Sequence, residues 1–151
     1  MKNLPTFLIN DDEINNKTGI LTEIQKISVF PPHTINNELS SDSQDNTVKI
    51  GDIHITPDGK WLYVSERATK TITAFSVDDN TGNLTYSRSY ETEEIPRGFN
   101  IDPNGKFVIV AGQKSDYVAV HAINPETGEL KLLDRFESGN EPNWIEIVEF
   151  Y

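Results

Sequence analysis

The chain has 151 residues, a formal net charge of −11 and no cysteine. Its size suits one domain with a sizeable core; the charge repels phosphate backbones and acidic membranes, which excludes a general nucleic-acid or membrane-surface partner. Disulfide and thiolate chemistry are excluded, and no stretch approaches the roughly 20 apolar residues of a membrane span or the make-up of a signal peptide, so the expected setting is cytoplasmic.

In chain order, residues 4–9 (Leu-Pro-Thr-Phe-Leu-Ile) predict a strand, which Pro5 restricts to an edge or a strand start. Residues 10–18 are turn-forming and polar, and Gly19 closes them. Residues 20–30 predict a second strand, because Thr22, Ile24 and the β-branched run to Val29 favour extended backbone over a short helix. Pro31-Pro32 then opens a polar insertion to about residue 50, read as a mobile surface loop.

From residue 51 the signal sharpens. Ile53 and Ile55 alternate with His54 and Thr56, and Trp61 and Tyr63 alternate with Leu62 and Val64, the period of a strand. Pro57-Asp58-Gly59 between them offers a preset φ, a side chain that bonds its own backbone and a residue tolerant of positive φ. This hairpin recurs. Pro57-Asp58-Gly59-Lys60 returns as Pro103-Asn104-Gly105-Lys106, Asn80-Thr81-Gly82 as Glu126-Thr127-Gly128, and Pro96 as Pro142, each 46 residues later. A displaced earlier copy is Lys17-Thr18-Gly19. Strand-like runs fall at 52–56, 61–65, 71–77 and 84–90, then at 99–102, 107–111, 117–123 and 130–136. Four short strands in about 46 residues is the size of a β-propeller blade. The chain thus reads as one all-β domain of antiparallel blades: a partial blade at 1–30, the insertion at 31–50, blades at 51–96 and 97–142, and a last strand at 143–151.

Connections in a four-stranded meander alternate between the two ends of the sheet. The short turns at 57–59 and 80–82 share one end. The other end holds longer loops with Glu66, Arg67, Lys70, Arg97, Gln113 and Lys114, making it the expected ligand face. Arg97 precedes an innermost strand and should lie near the channel axis, and His54 sits on the equivalent strand of the preceding blade. His54 suits either a hydrogen-bonded wall or proton transfer. Arg67 and Arg97 suit either a site or blade-to-blade ion pairs. His33 and His121 show no convergent partners, and metal-ligand spacing is absent.

The run from Asp52 through His54 to Glu66-Arg67, and Pro96-Arg97-Gly98-Phe99-Asn100-Ile101-Asp102 with Gly105-Lys106 and Val110-Ala111-Gly112-Gln113-Lys114-Ser115, resemble the seven-bladed β-propeller lactonase family, most closely its bacterial 6-phosphogluconolactonases. The resemblance is specific over residues 47–150 and loose before them. It implies hydrolysis of 6-phospho-D-glucono-1,5-lactone, a small anionic substrate, in the oxidative pentose phosphate pathway, without metal or organic cofactor. Seven such blades need upwards of about 300 residues, so the chain resembles an incomplete, C-terminal part of the ring, and residues 143–150 resemble the strand that closes it. In related carboxymuconate-cyclising propellers the proposed acid/base and anion-binding groups are a His, two Arg and a Glu; one of those arginines matches Arg67. The other three groups would belong to blades outside this chain. The resemblance thus implies Arg67 as a catalytic group, while placement on the expected ligand face suggests His54 as its catalytic companion and Arg97, Gln113, Lys114 and Glu66 as substrate-binding groups. Two alternatives stand beside it: a non-catalytic remnant that self-associates through unpaired blade edges, and a cyclase or lactonase for another anionic lactone.

Overall fold

The computed structural model describes residues 8–14, 18–31 and 49–150, and no helix occurs among them. β1 (Leu8–Ile14) and β2 (Leu21–Ser28) pair antiparallel. β3 (Ile50–Ile55), β4 (Trp61–Glu66), β5 (Thr71–Val77) and β6 (Leu84–Glu91) form an antiparallel sheet in chain order. β7 (Pro96–Ile101), β8 (Phe107–Gly112), β9 (Tyr117–Ile123) and β10 (Leu130–Glu137) repeat it. These are two whole propeller blades beside the outer half of a third.

The turns follow from side chains that replace backbone partners. In the first blade Thr56 Oγ1 donates to Asp58 Oδ1 at 2.6 Å, and Trp61 N donates to Thr56 Oγ1 at 3.1 Å. In the second blade Asp102 Oδ1 fills that role, accepting from Lys106 N at 2.5 Å and Phe107 N at 2.6 Å. Gly59 and Gly105 supply the required left-handed φ, +75° and +67°. Among the described residues four that are not glycine also hold positive φ, and they too fall in pairs 46 apart: Lys70 with Asp116, and Ile95 with Glu141.

The core lies between blades. Tyr63, Ile72 and Ala74 of the first whole blade pack on Phe99, Ile101, Val108, Val110, Ile123 and Leu130 of the second. Val64 and Phe75, on the opposite face of β4 and β5, pack with Leu84 and Val29, the last just beyond β2. Because β4 and β5 are covered on both faces, apolar residues occur on both faces of each, as with Tyr63 and Val64 in β4 and Ala74 and Phe75 in β5. β10, the outermost strand, is exposed along nearly its whole length.

Two expectations need correction. β1 continues through Asn10 to Ile14, a stretch whose composition suggests turn; its ladder with β2, with a register shift at Asp11/Asp12, overrides polar side-chain propensity. The rest of the expected strand at 4–9, most of the insertion loop and His33 lie outside the described residues. Residues 143–150 belong to no ladder. They run along β7 instead, with Asn100 Nδ2 donating to Ile145 O at 3.2 Å and Asn104 Nδ2 to Glu149 Oε1 at 3.2 Å. They occupy the inner-strand place 46 residues after β7, but the described chain holds no second strand of that blade with which to form a ladder. No helix among the described residues is long and apolar enough to cross a membrane.

Candidate functional site

The loop after the second strand of each blade is tied to the residue that precedes or opens the first strand. Arg67 N donates to Lys49 O at 2.9 Å, while Gln113 N and Lys114 N donate to Ile95 O and Glu94 O, both at 3.1 Å. The inner strands then meet. A Cβ on Gly51 would stand 2.5 Å from Pro96 O and 2.8 Å from Arg97 O, so β3 and β7 begin side by side only because position 51 carries no side chain. Ile95 is held at φ +51°, costly for a β-branched residue, and it directs the chain through Pro96 into Arg97.

This arrangement gathers Lys49, Arg67, Arg97, Gln113 and Lys114 at one end of the two blades. Arg67 is half-buried, its Nε 3.4 Å from Lys49 O. Arg97 is exposed, its Nη1 3.5 Å from Gln113 Oε1. Lys114 is exposed on the adjoining loop. Neither arginine forms a described blade-to-blade ion pair.

Glu66 departs from its expected place. It is 1% exposed, and its carboxylate accepts from Lys49 N at 2.7 Å, Ala68 N at 3.1 Å, Thr69 N at 2.5 Å and Thr69 Oγ1 at 2.7 Å. Four donors draw it beneath the loop, where it shapes the backbone that presents Arg67 rather than meeting a ligand. Position 112, its equivalent in the next blade, is Gly, and a Cβ there would fall 2.4 Å from Glu93 Cβ. Glu93, entering from the crossover between β6 and β7, puts a carboxylate in the corresponding place and accepts from Ser115 Oγ at 2.7 Å. One structural task is thus met from two chain positions, and the exchange left no trace in the repeat register.

Glu93 is also gripped by Arg135 of β10, through Nε at 2.5 Å and Nη2 at 2.8 Å, and that guanidinium sits 4.7 Å over the Tyr117 ring. The hydrogen bonds from Arg135 hold the Glu93 carboxyl below its ordinary range. His121, without an evident partner in the sequence, is 2% exposed, with Nε2 3.2 Å from Thr92 Oγ1; burial pushes its pKa down. These groups border a cavity of about 320 Å³ between the crossover and β9–β10, away from the arginines. The arginine-bearing end is an open surface, since a propeller mouth becomes concave only when several blades surround it.

His54 lies on β3 with its ring edge-to-face on Phe99, centroids 4.9 Å apart, and its Nε2 3.2 Å from Asp52 Oδ2. It therefore faces the neighbouring inner strand, and one third of its side chain reaches solvent. Asp52 is not among the residues that the sequence singles out; its signal is the break in the repeat, where Asp52 and His54 stand against Gly98 and Asn100. No group of three or more His, Asp or Glu placed to hold a metal occurs among the described residues.

Blades of four antiparallel strands with their inner strands side by side define a β-propeller. Residues 7–147 match the family described as lactonase, 7-bladed beta-propeller, and the chain belongs to that family. Among curated relatives, the 6-phosphogluconolactonase of Serratia proteamaculans is 45% identical over 89% of this chain and 38% of its own length. That of Blochmanniella pennsylvanica is 37% identical over 89% of this chain and 37% of its own. The periplasmic gluconolactonase of Pseudomonas aeruginosa superposes with a TM-score of 0.66 at 29% identity, covering 81% of this chain and 32% of that one. The chain spans well under half the length of these relatives.

Proposed function

We propose that this chain carries part of the ligand face of a lactone hydrolase whose substrate is 6-phospho-D-glucono-1,5-lactone and whose product is 6-phosphogluconate. One observation carries the reading: β3 and β7 start side by side at the end that holds Arg67 and Arg97, and neither arginine is in a described ion pair. Arg97, with the Gln113 amide beside it and Lys114 on the rim, offers donors suited to a phosphate. Arg67 stabilises the charge that develops on the carbonyl oxygen. His54 takes a proton from the water whose oxygen bonds to the lactone carbonyl carbon, then returns it to the ring oxygen as the C–O bond breaks. The names of the relatives support this substrate; the oxidative pentose phosphate pathway and a cytoplasmic setting are part of the same proposal.

The test is hydrolysis of 6-phosphogluconolactone above its spontaneous rate, measured together with molar mass in solution. Arg97→Ala should raise KM for the phosphorylated lactone about tenfold, equivalent to about 1.4 kcal/mol, and leave KM for unphosphorylated gluconolactone unchanged. Equal effects on both would show that Arg97 does not bind the phosphate and would overturn its assigned role. A second reading, a self-associating and non-catalytic module, is favoured by the exposed apolar groups Trp144, Val148 and Phe150. A monomer with no excess rate would exclude both the hydrolase and the self-assembling module.

A further inference from the structure

Asp52 has no counterpart in the next blade, where Gly98 stands at the same register. Its surroundings fix it from every side. Its backbone N donates to the hydroxyl of fully buried Ser65 at 2.8 Å, and its Oδ1 accepts from Ile53 N at 2.9 Å. That leaves Oδ2 turned toward the neighbouring blade, 3.4 Å from Phe99 N and 3.2 Å from His54 Nε2. The His54 ring thus lies between a carboxylate held by its own backbone contacts and the ring of Phe99, itself 1% exposed. The carboxylate also breaks the blade repeat together with the histidine, as expected of a functional pair and not of scaffold.

We infer that Asp52 is a positioning residue for His54: it holds Nε2 as the protonated nitrogen and leaves Nδ1 as the bare one that meets water. The inference rests on the lactonase reading for its chemical consequence but not for its structural content. A carboxylate beside one ring nitrogen selects the tautomer in which that nitrogen carries hydrogen. Nδ1 then abstracts the water proton as the water oxygen bonds to the carbonyl carbon, and the same proton passes to the ring oxygen as the ring opens. Asp52 itself neither gains nor loses a proton. The competing role is a plain staple between β3 and β7 through Phe99 N.

Two measurements separate these roles. Long-range proton–nitrogen NMR of the intact chain at pH 8 should show neutral His54 as the Nε2–H tautomer, with Asp52→Ala shifting it toward a mixture. An Nδ1–H tautomer in the wild type, or a signal unchanged in Asp52→Ala and in the isosteric Asp52→Asn, overturns the inference without reference to activity. In the lactone assay Asp52→Asn should lower kcat about tenfold with KM within twofold, and should cause no further loss in a His54→Gln background. A rise in KM alone, or additive losses in the double variant, identifies the staple and overturns the positioning role. If the tautomer behaves as stated but the wild type hydrolyses no lactone, the lactonase reading fails and the positioning of His54 stands.

Discussion

A single carboxylate decides how the loop after β4 is shaped. Glu66, itself 1% exposed, accepts four hydrogen bonds from Lys49, Ala68 and Thr69, and no cation is among its described partners. Removing it takes away the acceptor of all four, and each such bond contributes on the order of 0.5–1.5 kcal/mol. Glu66→Ala should therefore lower stability by about 2–4 kcal/mol in denaturant titration, with Glu66→Gln between it and the wild type because one oxygen still accepts. The functional consequence is indirect. Arg67 follows Glu66 directly, so kcat for the lactone should fall in Glu66→Ala even under conditions where the protein remains folded. An Arg67→Ala variant should show the same loss of kcat with little change in stability, since its described side-chain contact is a long one, to Lys49 O at 3.4 Å.

At the scale of strands, close approach and turn geometry make different demands on glycine. Gly59 has φ +75° and nothing within 4 Å of where a Cβ would stand, so Gly59→Ala should cost only the left-handed penalty, about 1–2 kcal/mol. Gly51 has ordinary φ, but its added Cβ would meet Pro96 O, Arg97 O and Ser65 Oγ, two of them backbone. Gly51→Ala should be the more damaging substitution and should also displace Arg97, which chemical denaturation and substrate KM would each register. The strand pattern was legible from the sequence because it rests on local chemistry: alternation, Asp-Gly and Asn-Gly turns, and Thr-Gly landmarks repeated at 46. The sheet order followed from the repeat. Asp52, Glu93 and Arg135 were not legible. Glu93 and Arg135 meet across 42 residues, and nothing in a polar residue's neighbours announces such a partner; Asp52 lies two residues from His54, but only the shared break in the repeat marks the pair. Glu66 was misplaced for the same reason, since its residue type in a polar loop suggests exposure while its four donors require burial.

Over the whole molecule, the buried ionisable groups set a common pH dependence. Hydrogen bonds from Arg135, assisted by Ser115, hold Glu93 below its ordinary 4.5, so the folded state binds fewer protons there than the unfolded chain. That contribution is complete above about pH 4.5 and is lost as pH falls through the depressed folded value. Burial holds His121 below its ordinary 6.5. Near and below pH 6.5 the unfolded chain takes up a proton that the folded one does not, so stability falls from there toward the lowered value. Asp58 and Asp78, held down mainly by hydrogen bonds from Thr56 and Thr81 in their turns, act in the same direction over the carboxylate range. Melting temperature should therefore stay level from pH 8 to 7, decline gently below about 6.5, and fall steeply below 4.5. His121→Asn should remove the gentle decline and leave the steep one. Glu93→Gln should melt lower than the wild type at pH 7, because a neutral amide offers Arg135 no charge, and the two curves should converge as acid protonates the wild-type carboxylate. Parallel curves for Glu93→Gln and wild type down to pH 3 would mean that the contact with Arg135 does not favour the ionised form.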